Sequence, residues 1–242
     1  FDNVDLAAAK KRGVFVTNTP DVLTDSVAVF TYTLLLAIAK RIPEADRFMR
    51  AGKYKGWGPK LLLGGATLGR TLGIVGAGRI GGMVAKLAKG GLGIKIIYTD
   101  VKRNQKFEAD TGAPFKTLQA LLKEADYVSL HVPLLPSTHH LIGTKEFGLM
   151  KKTAFLVNTA RGAVVDERAL VQALKTKQIA GAAIDVYEHE PKLTPGLSKL
   201  ENVILTPHIA SAGLETRKWM SELAAKNIIQ ALAGKKPKNV IQ

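Results

Sequence analysis

Short apolar runs alternate with longer amphipathic ones along most of this chain. The apolar runs predict strands at 13–17, 71–75, 95–98, 127–131, 154–158, 181–185 and 203–205. Helical spacing predicts a long, mostly apolar helix from Thr24 to Arg41. A shorter helix follows from Pro43 to about Met49, with others at 80–89, 117–123, 145–150 and 167–176. A last helix, 214–233, carries Met220, Leu223, Ala224, Ile228 and Ala231 on one face and is ended by Gly234. Gly52 to Pro59 reads as a loop rich in glycine and aromatics. From Arg70 onward, strand and helix repeat in turn, which implies α/β architecture with a parallel sheet. The strands show little polar alternation, so helices should cover both faces of that sheet.

The first strand of that repeat runs into Gly76-Ala77-Gly78-Arg79-Ile80-Gly81, which opens a helix. A second strand then ends at Asp100, nineteen residues past Gly81. Strand, glycines, helix, strand and acid in this order describe a Rossmann-type dinucleotide site. Gly76 would make the tight turn, Gly78 would let backbone approach a pyrophosphate, and Gly81 would let helix and strand pack closely. The helix start offers unpaired N–H groups and partial positive charge to the diphosphate, with Arg79 in its first turn. Asp100 would accept from the adenosine ribose hydroxyls and repel a 2′-phosphate, which favours NAD. Lys102 and Arg103 follow it and could accommodate that phosphate, so NADP stays open.

Composition narrows the function classes. The 242 residues contain no cysteine, which excludes disulfides and thiol catalysis and fits a reducing, cytoplasmic setting. The longest apolar stretch, 27–39, is too short to span a bilayer, and no signal peptide is visible. Net charge is +15, from 35 basic and 20 acidic residues, but the cations are scattered. With no continuous basic stripe and no interleaved aromatics, the charge reads as solvated surface rather than a nucleic-acid footprint.

In an open parallel sheet, ligands bind beyond the carboxyl ends of the strands. Those ends carry Asp100, His131-Val132-Pro133, Asn158-Thr159-Ala160-Arg161-Gly162, Asp185 and Thr206-Pro207-His208. Any one of them could be an ordinary turn. Together, beside a dinucleotide loop, they suggest one crevice. No cluster has the sequence spacing of a metal site, and hydride transfer needs none.

The chain resembles the D-isomer-specific 2-hydroxyacid dehydrogenase family. The matching passages are the glycine string with its strand, His131-Val132-Pro133-Leu134, Val157-Asn158-Thr159-Ala160-Arg161-Gly162, Asp185-Val186-Tyr187-Glu188-His189-Glu190-Pro191 and Thr206-Pro207-His208-Ile209-Ala210. Thr17-Asn18-Thr19-Pro20-Asp21-Val22-Leu23-Thr24-Asp25, with the Gly56-Trp57-Gly58-Pro59 loop, resembles the glyoxylate/hydroxypyruvate reductase branch. The resemblance implies that Arg161 binds and polarises a small 2-keto acid, that His208 is the acid/base, and that Glu190 holds the imidazole and favours its charged form. It also implies cofactor contacts from Gly76, Gly78, Arg79, Ile80, Gly81, Asp100, Val132, Pro133, Thr138, Thr159, Ala160, Arg161, Asp185, His208 and Ala210, with Asp185 on the nicotinamide carboxamide. His131 would shape the cofactor loop. Glu188, His139, His140 and His189 read as structural or solvated.

The family has a flavodoxin-like substrate domain built from both chain ends and a cofactor domain between them. Residues 1–18 and 208–242 are therefore expected to be remnants of the first, and 19–207 the dinucleotide-binding domain. Phe1 falls inside the family's pattern, so the start of the substrate domain is expected to be missing, with exposed apolar surface and weak turnover as results. The region from Thr24 to Arg41 resembles the family's dimer-forming arm, which implies a homodimer. Val29 stands where the family commonly has glutamate, and Gly213 stands where it has a capping threonine. A non-catalytic NAD-sensing or interaction module is the alternative from another class.

Overall fold

In a computed structural model describing residues 2–241, the core is a parallel sheet of β1 (Thr71–Val75), β2 (Lys95–Thr99), β3 (Tyr127–Leu130), β4 (Phe155–Asn158), β5 (Gly181–Ile184) and β6 (Val203–Leu205). The order is β2-β1-β3-β4-β5-β6, with every pair parallel. The direction in which strands are added reverses after β2, which lies on one side of β1 while β3 to β6 extend on the other. That is the switch point where the loops of a doubly wound sheet splay apart to form a crevice. A parallel bridge from Tyr98 to Phe115 marks a vestigial further strand beyond β2.

The sheet is covered on both faces, as its apolar strands required. One face packs under α2 (Thr24–Ala39) and α4 (Arg79–Leu92), burying Leu35, Ile38, Val84 and Ala88 against Leu72, Ile74 and Tyr98. The other packs under α6 (Leu118–Glu124), α7 (Thr144–Leu149) and α8 (Glu167–Lys175), burying Leu121, Phe147 and Leu170 against Val128, Leu156 and Ile184. At roughly 1.5–3 kcal/mol for each large side chain withdrawn from water, these two layers dominate the fold's stability.

Several expectations change. The run 13–17 forms no strand: Thr17 makes an isolated bridge to Val240, Val14 and Phe15 are exposed, and Val14 N donates to Ala9 O at the end of the preceding helix. Two short helices, α1 (Leu6–Lys11) and α5 (Gln105–Thr111), were not predicted. α1 is only six residues long with none of them buried, and α5 is mostly polar, but each has a side-chain N-cap. Asp5 accepts from Ala8 N at 2.8 Å and Asn104 from Phe107 N at 3.0 Å. The short helix from Pro43 is α3 (Ile42–Arg50).

The last helix, α9 (Leu214–Leu232), starts at Gly213 without a side-chain cap. Its predicted apolar face is only partly covered. Thr216 and Asn227 are its buried residues, while Ile228, Ile229 and Leu232 are exposed. The two ends of the chain meet here: Asn18 N donates to Asn239 O and Ile241 N to Val16 O. Phe1 and Gln242, the outer limits of the expected substrate-domain segments, lie outside the described residues. Among the described residues no single helix is long and apolar enough to cross a membrane.

Candidate active site

At the switch point, the loops after β1, β3, β4 and β6 and the segment before α2 enclose an open cleft of about 470 Å³. Its walls bring together Gly78, Arg79, Ile80, Val132, Pro133, Thr159, Ala160, Arg161, His208 and Ala210, all expected from the sequence. Gly76, Gly81, Asp100, Thr138, Asp185 and Glu190, also expected, are not among its lining residues. Asp2, Asn18, Asp21, Thr24 and Ser211 line the cleft and were not assigned as site residues. Their only early signal was the resemblance over 17–25, which includes Asn18, Asp21 and Thr24.

The glycine loop divides its work by position. Gly76 has φ +98°, left-handed backbone that a side chain would strain. A Cβ on Gly81 would sit 2.2 Å from Gly76 O, so only glycine allows α4 this close to β1. A Cβ on Gly78 would meet no protein atom within 4 Å; it would stand in the cleft itself. Gly78 is also the N-cap of α4 and supplies no side-chain bond to that helix start. A bare helix N-terminus facing a cleft that a side chain would obstruct fits a diphosphate. Asp100 accepts from Ala77 N at 2.8 Å and Val101 N at 2.7 Å, holding the loop at the end of β2. Arg79 reaches across the cleft mouth to Asp21 at 2.6 Å. Thr138 accepts from Leu135 N and donates to Pro133 O at 2.6 Å, fixing the shape of the β3 loop. His131 lies beneath it against Ser129 Oγ at 2.8 Å, and burial pushes its pKa down to about 3.

Arg161 sits on a tightly clipped turn after β4. Buried Asn158 donates to Arg161 O at 2.9 Å and accepts from Ala160 N at 3.0 Å. Thr159 Oγ1 shares a 2.7 Å hydrogen bond with Thr31 on α2. Gly162 leaves no room for a side chain against the Tyr187 backbone, which locks this turn to the loop after β5. The Arg161 guanidinium donates through Nη1 to Ala160 O and through Nε to both oxygens of Asp2, at 3.0 and 3.2 Å. Burial pushes the Asp2 carboxyl up, but the bond and charge of Arg161 outweigh it, and the net shift is downward.

His208 is held in left-handed backbone, φ +56°, strain of order 1–3 kcal/mol for a non-glycine residue. Asp185 enforces it. This fully buried carboxylate accepts from Thr206 Oγ1 at 2.6 Å, Ile209 N at 2.9 Å and Ala210 N at 2.8 Å, gripping the chain on both sides of His208. The imidazole turned out this way meets Glu190, with Nδ1 to Oε2 at 3.0 Å. Glu190 is itself steadied by Tyr187 N at 3.0 Å. Burial works against its ionised form, but the bonds from His208 and Tyr187 N and the charges of His208 and Arg161 prevail, so its pKa is lowered. Glu190 can therefore stay ionised behind an imidazole whose other nitrogen is left to act in the cleft.

Residues 32–210 match the family model described as D-isomer specific 2-hydroxyacid dehydrogenase, NAD binding domain. The chain belongs to the D-isomer-specific 2-hydroxyacid dehydrogenase family. Among proteins similar to this dehydrogenase is the glyoxylate reductase of Thermococcus litoralis, 52% identical across all of this chain and 74% of that protein. A solved structure of the TT0316 protein from Thermus thermophilus covers the whole chain with a TM-score of 0.93, at 47% identity and over 76% of its own length. The NADPH-dependent glyoxylate/hydroxypyruvate reductase of Sinorhizobium meliloti, solved with NADP and malonate, does so with a TM-score of 0.91, at 34% identity and over 74% of its length. The dehydrogenase is thus an NAD(P)-dependent enzyme of 2-hydroxy and 2-keto acids.

Proposed function

We propose that this protein reduces a small 2-keto acid of the glyoxylate or hydroxypyruvate type to the D-2-hydroxy acid, using NADH in preference to NADPH. The observation that carries this reading is the placing of Arg161, His208 and the bare start of α4 around one cleft, with Glu190 behind His208. Bound in the cleft, the reduced nicotinamide supplies a hydride to the keto carbon. The Arg161 fork pairs with the substrate carboxylate and keto oxygen and draws electron density from the carbonyl. His208, its Nδ1 held by Glu190, gives a proton to the same oxygen as the C–H bond forms, so hydride and proton together make the hydroxy acid. Thr159, Ala160, Val132, Pro133 and Ala210 line the cofactor's path. Asp185 acts on the nicotinamide end through the loop it grips.

Residues 1–18 and 208–242 are read as parts of a substrate domain, and 19–207 as the cofactor domain. The pairing of Asn18 with Asn239 and of Val16 with Ile241 supports joining the two outer segments. Cytoplasmic location and a homodimer belong to the same reading. α2 is mostly buried against α4 and the sheet, so the dimer surface falls on the segment beyond its C-terminus, where Ile42, Met49, Trp57, Leu63 and Leu68 are all exposed. Assayed by itself, the 242-residue polypeptide should turn over slowly, because α9 leaves apolar surface bare and His208 is half exposed.

The test follows NADH oxidation with glyoxylate and hydroxypyruvate. Slow, keto-acid-dependent oxidation that disappears in Arg161→Ala supports the reading. Brisk turnover would overturn the claim of slowness alone. Bound NADH that no keto acid oxidises at any enzyme concentration would overturn the enzyme reading and favour a non-catalytic NAD(H)-binding module. The observation behind that second reading is Asp2 seated on Arg161.

A further inference from the structure

Two loops bring together three side chains that the hydride site does not use. His139 and His140 lie in the loop after β3, and Glu188 lies in the loop after β5. One ligand atom from each residue falls within 4.8 Å of the others. His140 Nε2 is 2.8 Å from Glu188 Oε1, and the His139 and His140 rings stack with centroids 4.0 Å apart. His189 Nε2 approaches the same Glu188 oxygen at 4.0 Å. The group opens on a cleft of about 920 Å³, separate from the one that holds Arg161, lined by His140, Asp166, Glu188, His189 and Glu190 among others.

The carboxylate in this group is built in, while the imidazoles are free to adjust. Glu188 N donates to Glu167 Oε1 at 2.7 Å, and Glu188 Oε2 accepts from Glu167 N at 3.4 Å. Glu167 is buried, and its Oε2 has no hydrogen-bond partner, so a second carboxylate stands directly behind the first. Both histidines are exposed. Arg168 and Lys192 line the same cleft, which disfavours a cation held by charge alone. Imidazole nitrogens select differently: with one carboxylate they suit zinc and its borderline neighbours over magnesium or calcium.

We propose that His139, His140 and Glu188 form a binding site for a divalent transition-metal cation, zinc above all, with His189 or water as fourth ligand. Small side-chain rotations would bring the three donors to the ~2.0–2.2 Å bonds that zinc forms with nitrogen and oxygen. The ion would tie the β3 loop, shaped by Thr138, to the β5 loop that carries Glu190. It takes no part in hydride transfer, and its site does not depend on the identity of the keto acid.

The main competitor for an added metal is the His208–Glu190 pair. Metal-stripped protein is titrated with zinc by calorimetry, and in parallel with cobalt(II), whose tetrahedral complexes absorb visibly. Wild type and His208→Ala should both bind zinc and show the cobalt bands. Glu188→Gln and the double variant His139→Asn/His140→Asn should bind at least tenfold more weakly and lose the bands, with unchanged far-ultraviolet circular dichroism. The single His139→Asn keeps the test open if the double variant misfolds. It keeps the His140–Glu188 pair and should still weaken zinc. Zinc binding that survives in the histidine variants, that vanishes instead in His208→Ala, or that is missing from wild type would overturn the proposal.

Discussion

The carboxylate of Asp2 rests on the guanidinium of Arg161, with Nε 3.0 and 3.2 Å from its two oxygens. In the proposed reaction a keto acid offers its own carboxylate to that same fork, and Asp2 would then compete with it. Both partners are partly exposed, and such a pair is worth at most ~1 kcal/mol, about fivefold in affinity. Asp2→Ala should therefore tighten binding of oxalate, an unreactive carboxylate, by up to about fivefold in the presence of NADH. Weaker oxalate binding in the variant would mean that Asp2 positions Arg161 instead of occupying it.

Asp185 accepts from three donors that flank His208, whose backbone is left-handed. Asp185→Ala would leave buried donors without a partner at about 1–3 kcal/mol each. The expected result is a loss of roughly 3 kcal/mol in urea unfolding, together with a collapse of turnover that exceeds any loss of NADH affinity. A variant with wild-type stability and rate would show that the loop holds His208 without this carboxylate.

Much of this was legible from the chain. The strands are runs in which nearly every residue is buried, such as Tyr127-Val128-Ser129-Leu130, and they read as strands without help from alternation. The glycine loop and the family passages pointed to strand ends that meet around one cleft. The relationships just described could not be read, because they join positions far apart in sequence: Asp2 with Arg161, and His140 with Glu188. Asp185 was assigned a ligand. Its present partners are backbone N–H groups and a threonine hydroxyl, of which a sequence gives no sign. The helix at 105–111 escaped because Phe107 is its one large apolar residue, and its cap at Asn104 was the only cue.

Glu190 Oε2 holds His208 Nδ1 at 3.0 Å. Burial raises the Glu190 carboxyl, but the bonds from His208 and Tyr187 N lower it more, so a charged carboxylate stands behind the ring. Glu190→Gln removes that charge and keeps an acceptor for the ring. If the charge matters to the proposed proton transfer, the reductase rate at neutral pH should drop in this variant. A rate equal to wild type would limit Glu190 to orienting the ring.

Asp126 links the strand starts to the surface. Its carboxylate accepts from Thr71 N at 2.9 Å and pairs with Lys151 at 3.0 Å and Arg70 at 3.6 Å. Burial raises its pKa, the Thr71 N–H and Lys151 lower it more, and the net shift is downward. Stability from a depressed carboxyl is fully present above its unfolded value near ~3.9 and is lost as pH falls through the lower folded value. Asp126→Asn should thus cost about 1–2 kcal/mol at neutral pH in urea melts. The gap from wild type should narrow only in acid below about pH 4. A gap constant with pH would assign the loss to packing.

In the proposed function, cofactor choice rests on what surrounds Asp100. Arg103, the cation best placed in sequence to meet a 2′-phosphate, is held by Glu108 through two bonds at 2.9 and 2.8 Å, and Glu108 is fixed by Tyr98 OH at 2.6 Å. The acid is therefore presented and the arginine restrained, which favours NADH. Asp100→Ser removes the repulsion, and Glu108→Gln loosens Arg103. The first should shift the ratio of kcat/KM values toward NADPH by about tenfold, equivalent to ~1.4 kcal/mol, and the pair together by more. Because Asp100 also accepts from Ala77 N and Val101 N, its loss should lower NADH affinity as well. A ratio unchanged in Asp100→Ser, whatever the absolute rates, would show that Asp100 serves the loop alone and that selectivity for the ribose lies elsewhere.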